Sequence, residues 1–384
     1  LQSSWREKAW INSTMTQPDQ FYMQRSITLA KKGSFSTRPN PAVGAVLVRD
    51  GEIVGEGWHE KAGLDHAEIV ALKQAGERAK GATLYVTLEP CSFTGKTGPC
   101  CDAVIAAGVG RVVFGMVDPN PRVAGSGLDR IREAGIPVDG PVLEEECENL
   151  NPGFSKRMRE GLPYVRCKLA MSLDGRTAMA SGESQWITGA EARQDVQHWR
   201  AMSGVVMTGI GTVLSDDPGL NVRLADIHCD QPLRVVVDST LKTPPEAKTL
   251  HLPGEVLLAT AVTTTSEIEA KEQALDNPQV TILPCVNTEG QVDLESLLRY
   301  LAKELQINEV MLESGPTLAG AMLHAGLIDE VITYIAPKLL GSDARPLFHL
   351  PGMTTMADQV QLEMLDVAMV GKDCRMRSRV KYGG

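Results

Sequence analysis

No run of eighteen or more uninterrupted apolar residues occurs in the 384-residue sequence, so no segment reads as a membrane-spanning helix. The N-terminus lacks an apolar signal region. Residues 1–14, LQSSWREKAWINST, look unlike the body of the chain and are expected to be vector-derived or disordered. Basic residues are outnumbered, 38 against 48 acidic, for a formal charge of −10, and no basic stripe stands out. That argues against a nucleic-acid partner. It leaves a small anion open, because a few local arginines suffice for one phosphate. There is no internal repeat and no low-complexity segment. A disulfide framework is missing too: of eight cysteines, Cys91, Cys100 and Cys101 cluster, while Cys147, Cys167, Cys229, Cys285 and Cys374 are scattered. This usage points to a reducing, cytoplasmic setting with one metal site.

What is present is an α/β alternation, long enough for two domains. The spacing predicts a helix over 20–33. It then predicts a hairpin over 42–58, where Asp50-Gly51 joins two apolar runs. A helix from about His66 to Ala79, a strand at ATLYVTLEP, a helix beginning near Pro99 and a strand at GRVVFGMVD follow, then a last helix and short strand. A mixed sheet with helices on both faces is expected. A polar, basic stretch ends at Arg159 and a strand-like run begins at Tyr164, which places a domain boundary there. Beyond it, GVVMTG, LRVVVDS, EVLLAT, VTILP, NEVMLES and DEVITYIAPKLLG are strand candidates, and residues 294–305 carry a helical apolar period.

The densest chemistry lies in residues 66–101. His66, Cys91 and one of Cys100 or Cys101 offer mixed nitrogen and sulfur ligation, which suits zinc. Three protein ligands leave a fourth position for a water that loses its proton near neutral pH. Glu68 is not needed as a ligand and is placed to carry protons. His66-Ala67-Glu68 followed by Pro90-Cys91 matches the zinc deaminase signature, although Cys100 stands nine positions after Cys91, wider than its usual gap. Taken singly, these residues read as a helix-capping histidine, an exposed glutamate and buried cysteines. It is the combination that points to a catalytic metal.

Together NPAVGAVLV, HAE, LEPCSFTGKTGPCCDA, VDPNPRVAGSG, SLDGRTA, SQWIT, DDPGL and ESGPTLAGAMLHAGLIDE resemble the bifunctional riboflavin biosynthesis deaminase–reductases of the RibD type, over nearly the whole chain from about residue 18. The resemblance implies a cytidine-deaminase-like three-layer α/β/α domain, residues 15–161, followed by a dihydrofolate-reductase-like α/β domain, residues 162–384. The first would deaminate 2,5-diamino-6-(5-phosphoribosylamino)pyrimidin-4(3H)-one. The second would use NADPH to reduce the ribosyl group of the product, 5-amino-6-(5-phosphoribosylamino)uracil. His66, Cys91 and Cys100 carry over as zinc ligands, Glu68 as the catalytic proton carrier, and Asn40 and Lys96 as substrate contacts. A homo-oligomer, dimer or tetramer, is expected.

No G-x-G-x-x-G follows a strand in the second half, so a Rossmann cofactor site is not supported. In its place, a strand ending at Glu313, a Gly-Pro turn and a helix starting near Thr317 form an anion-attracting helix start. The resemblance puts the cofactor pyrophosphate over Gly315, Pro316, Thr317, Leu318, Ala319, Gly320 and Ala321. Ala170, Trp186, Thr212, Asp216 and Ser239 carry over as further cofactor contacts, and Lys242 is a candidate for the 2′-phosphate. Lys168, Ser184, Arg200, Leu220, Arg223 and Glu313 carry over as substrate contacts, with Arg200 and Arg223 suited to fork a phosphate. Two other readings are a single-activity nucleoside- or tRNA-type deaminase with a nucleotide-binding regulatory C-terminal domain, and a non-enzymatic zinc- and nucleotide-binding regulator. The acidic charge argues against tRNA, and Glu68 against a purely structural zinc, which would need a fourth protein ligand.

Overall fold

The computed structural model describes residues 17–93, 98–121, 123–227 and 229–382. The chain divides into two compact units, one ending at Glu160 and the other beginning at Gly161.

The first unit runs α1 (Gln17–Ala30), β1 (Gly44–Arg49), β2 (Glu52–Trp58), α2 (Ala67–Ala75), β3 (Thr83–Leu88) and α3 (Cys100–Ala106). It continues with β4 (Arg111–Met116), α4 (Ser126–Glu133), β5 (Val138–Asp139), α5 (Glu144–Glu148) and α6 (Pro152–Glu160). The sheet order is β2-β1-β3-β4-β5. The β1 strand is antiparallel to β2 and β3, and the remaining pairs are parallel. Asp50 and Gly51 both take positive φ, 53° and 81°, which makes the tight reversal that the Asp-Gly pair predicts. Gly44 and Gly57 show how close the helices lie. A Cβ on Gly44 would stand 2.0 Å from the Ser26 carbonyl oxygen of α1, and one on Gly57 2.3 Å from the Ala67 carbonyl oxygen of α2. Gly57 pairs with Ala45, the neighbour of Gly44, so the two glycines point to opposite faces and α1 and α2 cover opposite sides. Ala45, Val46, Leu47, Leu84, Val86, Val112, Val113 and Phe114 fill both layers and are fully buried.

The second unit runs β6 (Tyr164–Ser172), β7 (Arg176–Ala178), α7 (Ala190–Met202), β8 (Val205–Gly209), α8 (Ile210–Asp216), β9 (Leu233–Val237), α9 (Lys248–His251), β10 (Val256–Thr260) and α10 (Thr265–Leu275). Then come β11 (Val280–Pro284), α11 (Leu294–Lys303), β12 (Glu309–Leu312), α12 (Pro316–His324), β13 (Glu330–Ala336), β14 (Arg345–Pro346), β15 (Gln361–Val370) and β16 (Asp373–Lys381). The nine-stranded sheet has the order β11-β10-β9-β8-β12-β6-β13-β16-β15. It is parallel from β11 to β13 and antiparallel over the last two strands. The order runs outward from β8 to β11, while β12 returns between β8 and β6. Such a reversal opens a crevice at the carboxyl ends of the strands. The period over 294–305 yields α11, capped by the Asp293 carboxylate, which accepts the Ser296 N–H, with Leu297, Leu298 and Leu301 buried. The β15–β16 hairpin and α7 went unseen in the sequence, because their apolar residues are interleaved with charge.

Candidate functional sites

Three element ends in the first unit converge. His66 is the residue before α2, Cys91 follows the end of β3, and Cys100 opens α3. The His66 side chain makes no capping bond. Its Nδ1 lies 3.2 Å from Cys100 Sγ and 3.6 Å from Cys91 Sγ. Zinc bonds of about 2.0–2.3 Å imply ligand–ligand edges of about 3.3–3.8 Å, close to these two nitrogen–sulfur distances, and the donor set suits zinc. All three ligand atoms lie within 4.8 Å of one another, and no other such group was found among the described residues. Cys101 stays outside the group, with its Sγ 3.7 Å from Asp102 Oδ1.

The two thiols are driven in opposite directions. Cys91 is drawn down to about 4 by its contact with Cys100 and by His66, while Cys100 is pushed up in return. The Cys100 N–H also donates to Cys91 Sγ at 3.3 Å. Glu68, in the first turn of α2, is 3% exposed. Burial, then the neighbouring Cys91 charge, raises its pKa to about 7, so it can both take and release a proton near neutrality.

Sequence reasoning missed two residues here. His59 is buried, with its ring edge-on to His66 at 5.2 Å between centroids. His59 Nδ1–H donates to the Asp65 carbonyl at 3.0 Å, which leaves Nε2 to accept from Asn40 Nδ2 at 3.1 Å. Burial lowers the His59 pKa and favours this neutral form. Glu89, adjacent to Pro90-Cys91, accepts the N–H groups of Asp118, Gly125 and Gly127 at 3.1, 2.8 and 2.8 Å, and so pins the 118–127 loop beside Cys91. A lone histidine after a strand carries no motif, and Glu89, although it lies in the LEPC stretch, reads there only as a strand end. Lys96 lies outside the described residues.

The second unit holds a cavity of about 1300 Å³ at the carboxyl ends of β6, β8, β9 and β12. Among the residues carried over from the resemblance, Lys168, Ala170, Ser184, Trp186, Arg200, Thr212, Asp216, Leu220, Arg223, Ser239 and Glu313 line it. So do Gly315, Pro316, Thr317, Leu318 and Ala321. Ala319 and Gly320 do not: both are buried within α12, and a Cβ on Gly320 would stand 2.1 Å from the His349 carbonyl oxygen. Lys242 is not among the lining residues, whereas Lys248 is. Gly315 caps α12 with Pro316 in the first turn, and its N–H donates to Thr212 Oγ1 at 3.2 Å. Ser184 Oγ donates to Asp216 Oδ1 at 3.3 Å. The Trp186 ring is exposed, with the Arg193 guanidinium 4.4 Å above it.

Two of the expected substrate contacts, Arg200 and Glu313, pair with each other. The Arg200 fork is closed on Glu313, with Nε to Oε1 at 2.5 Å and Nη2 to Oε2 at 3.0 Å, and Nη1 donates to the Asn221 carbonyl at 2.9 Å. This takes three of the five guanidinium N–H groups and leaves one on Nη1 and one on Nη2. Burial alone would raise the Glu313 pKa, but the Arg200 charge outweighs it and the carboxyl sits below its ordinary range. Lys168 lies beside this pair, with its pKa lowered by burial and held up in part by Glu313.

Comparison with known proteins gives the following. Residues 163–375 match the family described as the RibD C-terminal domain, and residues 16–116 the cytidine and deoxycytidylate deaminase zinc-binding region. The chain is 52% identical to the riboflavin biosynthesis protein RibD of Escherichia coli K12, over 92% of this chain and 97% of that protein. It is 44% identical to the protein of the same name from Aquifex aeolicus, over 92% and 96%. Among solved structures, Acinetobacter baumannii RibD superposes with a TM-score of 0.87 at 47% identity, covering 95% of this chain and 99% of that one. A Thermotoga maritima protein titled a diaminohydroxyphosphoribosylaminopyrimidine deaminase/5-amino-6-(5-phosphoribosylamino)uracil reductase gives 0.84 at 33% identity, with the same coverage.

Proposed function

The chain belongs to the RibD family of riboflavin biosynthesis proteins, and from that premise we propose how its two sites divide two consecutive reactions. It is a bifunctional enzyme, a zinc-dependent deaminase joined to an NADPH-dependent reductase. Residues 15–161 carry the first activity and residues 162–384 the second. The substrate of the first is 2,5-diamino-6-(5-phosphoribosylamino)pyrimidin-4(3H)-one. Its product, 5-amino-6-(5-phosphoribosylamino)uracil, is the substrate of the second. The observation that carries this reading is Glu68, buried beside His66, Cys91 and Cys100, in one chain with a large cavity built on separate residues.

In the first site His66, Cys91 and Cys100 would hold zinc, which would supply a water acidified to near-neutral pH. Glu68 takes a proton from that water and delivers it to the departing ammonia. Asn40, oriented by neutral His59, and Lys96 hold the substrate. In the second site bound NADPH would supply the hydride that the ribosyl C1′ accepts. The Gly315–Leu318 turn, at the start of α12, receives the pyrophosphate, and Thr212 braces that turn. Ala170, Trp186, Asp216 and Ser239 complete the cofactor contacts. Ser184, Leu220, Arg200 and Arg223 hold the substrate, and Lys168 with Glu313 forms the polar floor near the sugar.

The test is to give the purified protein the diaminopyrimidinone phosphate, zinc and NADPH, and to follow ammonia and NADPH together. Both should move in sequence. Ammonia release without NADPH oxidation would instead favour a deaminase with a regulatory C-terminal unit.

No helix among the described residues is long and apolar enough to cross a membrane, and the scattered free cysteines suit the cytoplasm. A homo-oligomer, dimer or tetramer, is supported by β15. It is an edge strand on which Leu362, Met364, Val367 and Met369 are exposed. An edge strand related to its own copy by a two-fold axis pairs antiparallel and would bury this apolar row. Met364→Lys should shift the sedimentation coefficient toward the monomer.

A further inference from the structure

We propose that Gln231 is a positioning residue for the 219–223 loop of the reductase cavity, and that through this loop it sets the preference for a phosphorylated substrate. The inference rests on Leu220 and Arg223 being substrate contacts.

Leu220, Asn221 and Arg223 line the cavity, while Val222 between them does not. Leu220 has φ 55° and is 1% exposed. A buried leucine in the left-handed region persists only where its surroundings over-determine it. Here the three residues that follow are each tied to a side chain from elsewhere. Arg200 donates to the Asn221 carbonyl, and Gln197, also on α7, accepts the Arg223 N–H at 2.9 Å. Gln231 does more than either. Its Oε1 accepts the Val222 N–H at 2.9 Å and its Nε2 donates to the Val222 carbonyl at 3.1 Å. One side-chain amide thus makes both bonds that a neighbouring strand would make.

The anchor behind this amide is firm. Gln231 stands two residues before β9, where Arg234 is buried and donates to the carbonyls of Leu252 and Gly254. A Cβ on Gly219 would meet Leu252 at 2.9 Å, so the 252–254 turn backs the start of the loop. Gln231 itself is exposed on its outer side and does not line the cavity. It reaches the site only through the Val222 backbone.

The link to phosphate follows from the two arginines. The Arg200 fork is closed on Glu313, so Arg223 is the freer cation. Arg223 is aimed by its own backbone, which Gln197 and the neighbouring Val222 clamp hold, and by Nη1 donating to Asn221 Oδ1 at 3.0 Å. Releasing Val222 lets Leu220 relax and Arg223 swing. Grip on the phosphate end should fall, while the hydride end and the cofactor turn, built on β12 and α12, stay as they are.

The test uses the full chain. For Gln231→Leu, KM for 5-amino-6-(5-phosphoribosylamino)uracil should rise about tenfold or more with kcat within about twofold. Its preference for this substrate over the dephosphorylated analogue should drop by a similar factor. KM for NADPH, ammonia release and the melting temperature should stay near wild type. Gln231→Glu keeps the acceptor for the Val222 N–H and loses the donor, so it should fall between; it decides the matter if the leucine variant does not fold. Arg223→Met is the control and should abolish the preference. If Arg223→Met loses the preference while neither Gln231 variant does, the positioning role is refuted. If kcat, NADPH binding and both substrates suffer alike, the role is merely structural and the proposal fails. If Arg223→Met also leaves the preference intact, the phosphate reading of the cavity is what fails.

Discussion

The deaminase cluster and the reductase cavity hold their reactive groups in opposite ways. In the first unit four residues between positions 66 and 100 meet at two helix starts and one strand end, with ligand atoms within 4.8 Å of one another. In the second unit lining residues are drawn from positions 168 to 345, and a turn, a helix start and several side chains share the work in about 1300 Å³. Coordination and proton transfer need particular atoms at bond distance, so that site is small and each single loss there should be severe. Binding a dinucleotide and a sugar phosphate spreads over many modest contacts, many of them to backbone, so single losses there should be graded.

The sharpest contrast is between adjacent cysteines. Cys100→Ser should lose the zinc and with it all ammonia release, whereas Cys101→Ser, whose thiol faces Asp102, should keep both; metal analysis of the two proteins decides. The reverse result would move the ligand by one residue.

Next in size is Glu68→Gln. The change is nearly isosteric and should leave zinc in place while ammonia release falls by about 10²–10⁴-fold or beyond. Reduction of pre-deaminated substrate should stay within about twofold of wild type, as expected of distant sites. If both activities fall together, the separation of the two sites is wrong.

Arg200→Met probes the dispersed site. It strands the buried Glu313 carboxylate and drops the Asn221 carbonyl. The cost should be about 2–4 kcal/mol, on the order of 30–1000-fold in reductase kcat/KM, with ammonia release unchanged. A loss confined to the deaminase would overturn the cavity assignment.

The smallest effect is on stability in acid. Arg200 holds the Glu313 pKa below its ordinary 4.5 against the opposing pull of burial. A carboxyl lowered on folding contributes fully above its unfolded pKa, and the contribution is lost as pH falls through the folded value. The melting temperature of wild type should therefore drop more steeply below pH 4.5 than that of Glu313→Gln. Parallel curves would mean that the ion pair contributes nothing to the fold.

Sequence by itself pointed to a metal cluster of His66, Cys91 and one of the paired cysteines Cys100 and Cys101, to the alternation of strands and helices, and to the Gly-Pro helix start at 315–316. Each rests on chemistry that few residue types can supply. Only histidine and cysteine make a mixed nitrogen–sulfur site, and only a few pairs such as Asp-Gly turn a two-residue hairpin. The tertiary structure alone decided that Arg200 pairs with Glu313, 113 positions away. It alone paired His59 with Asn40, buried Ala319 and Gly320 away from the cavity, and set one glutamine amide against Val222. The physical reason is that a hydrogen bond accepts many donors and acceptors, so residue type does not name its partner. Partner and direction follow only once the sheet order has brought distant segments side by side.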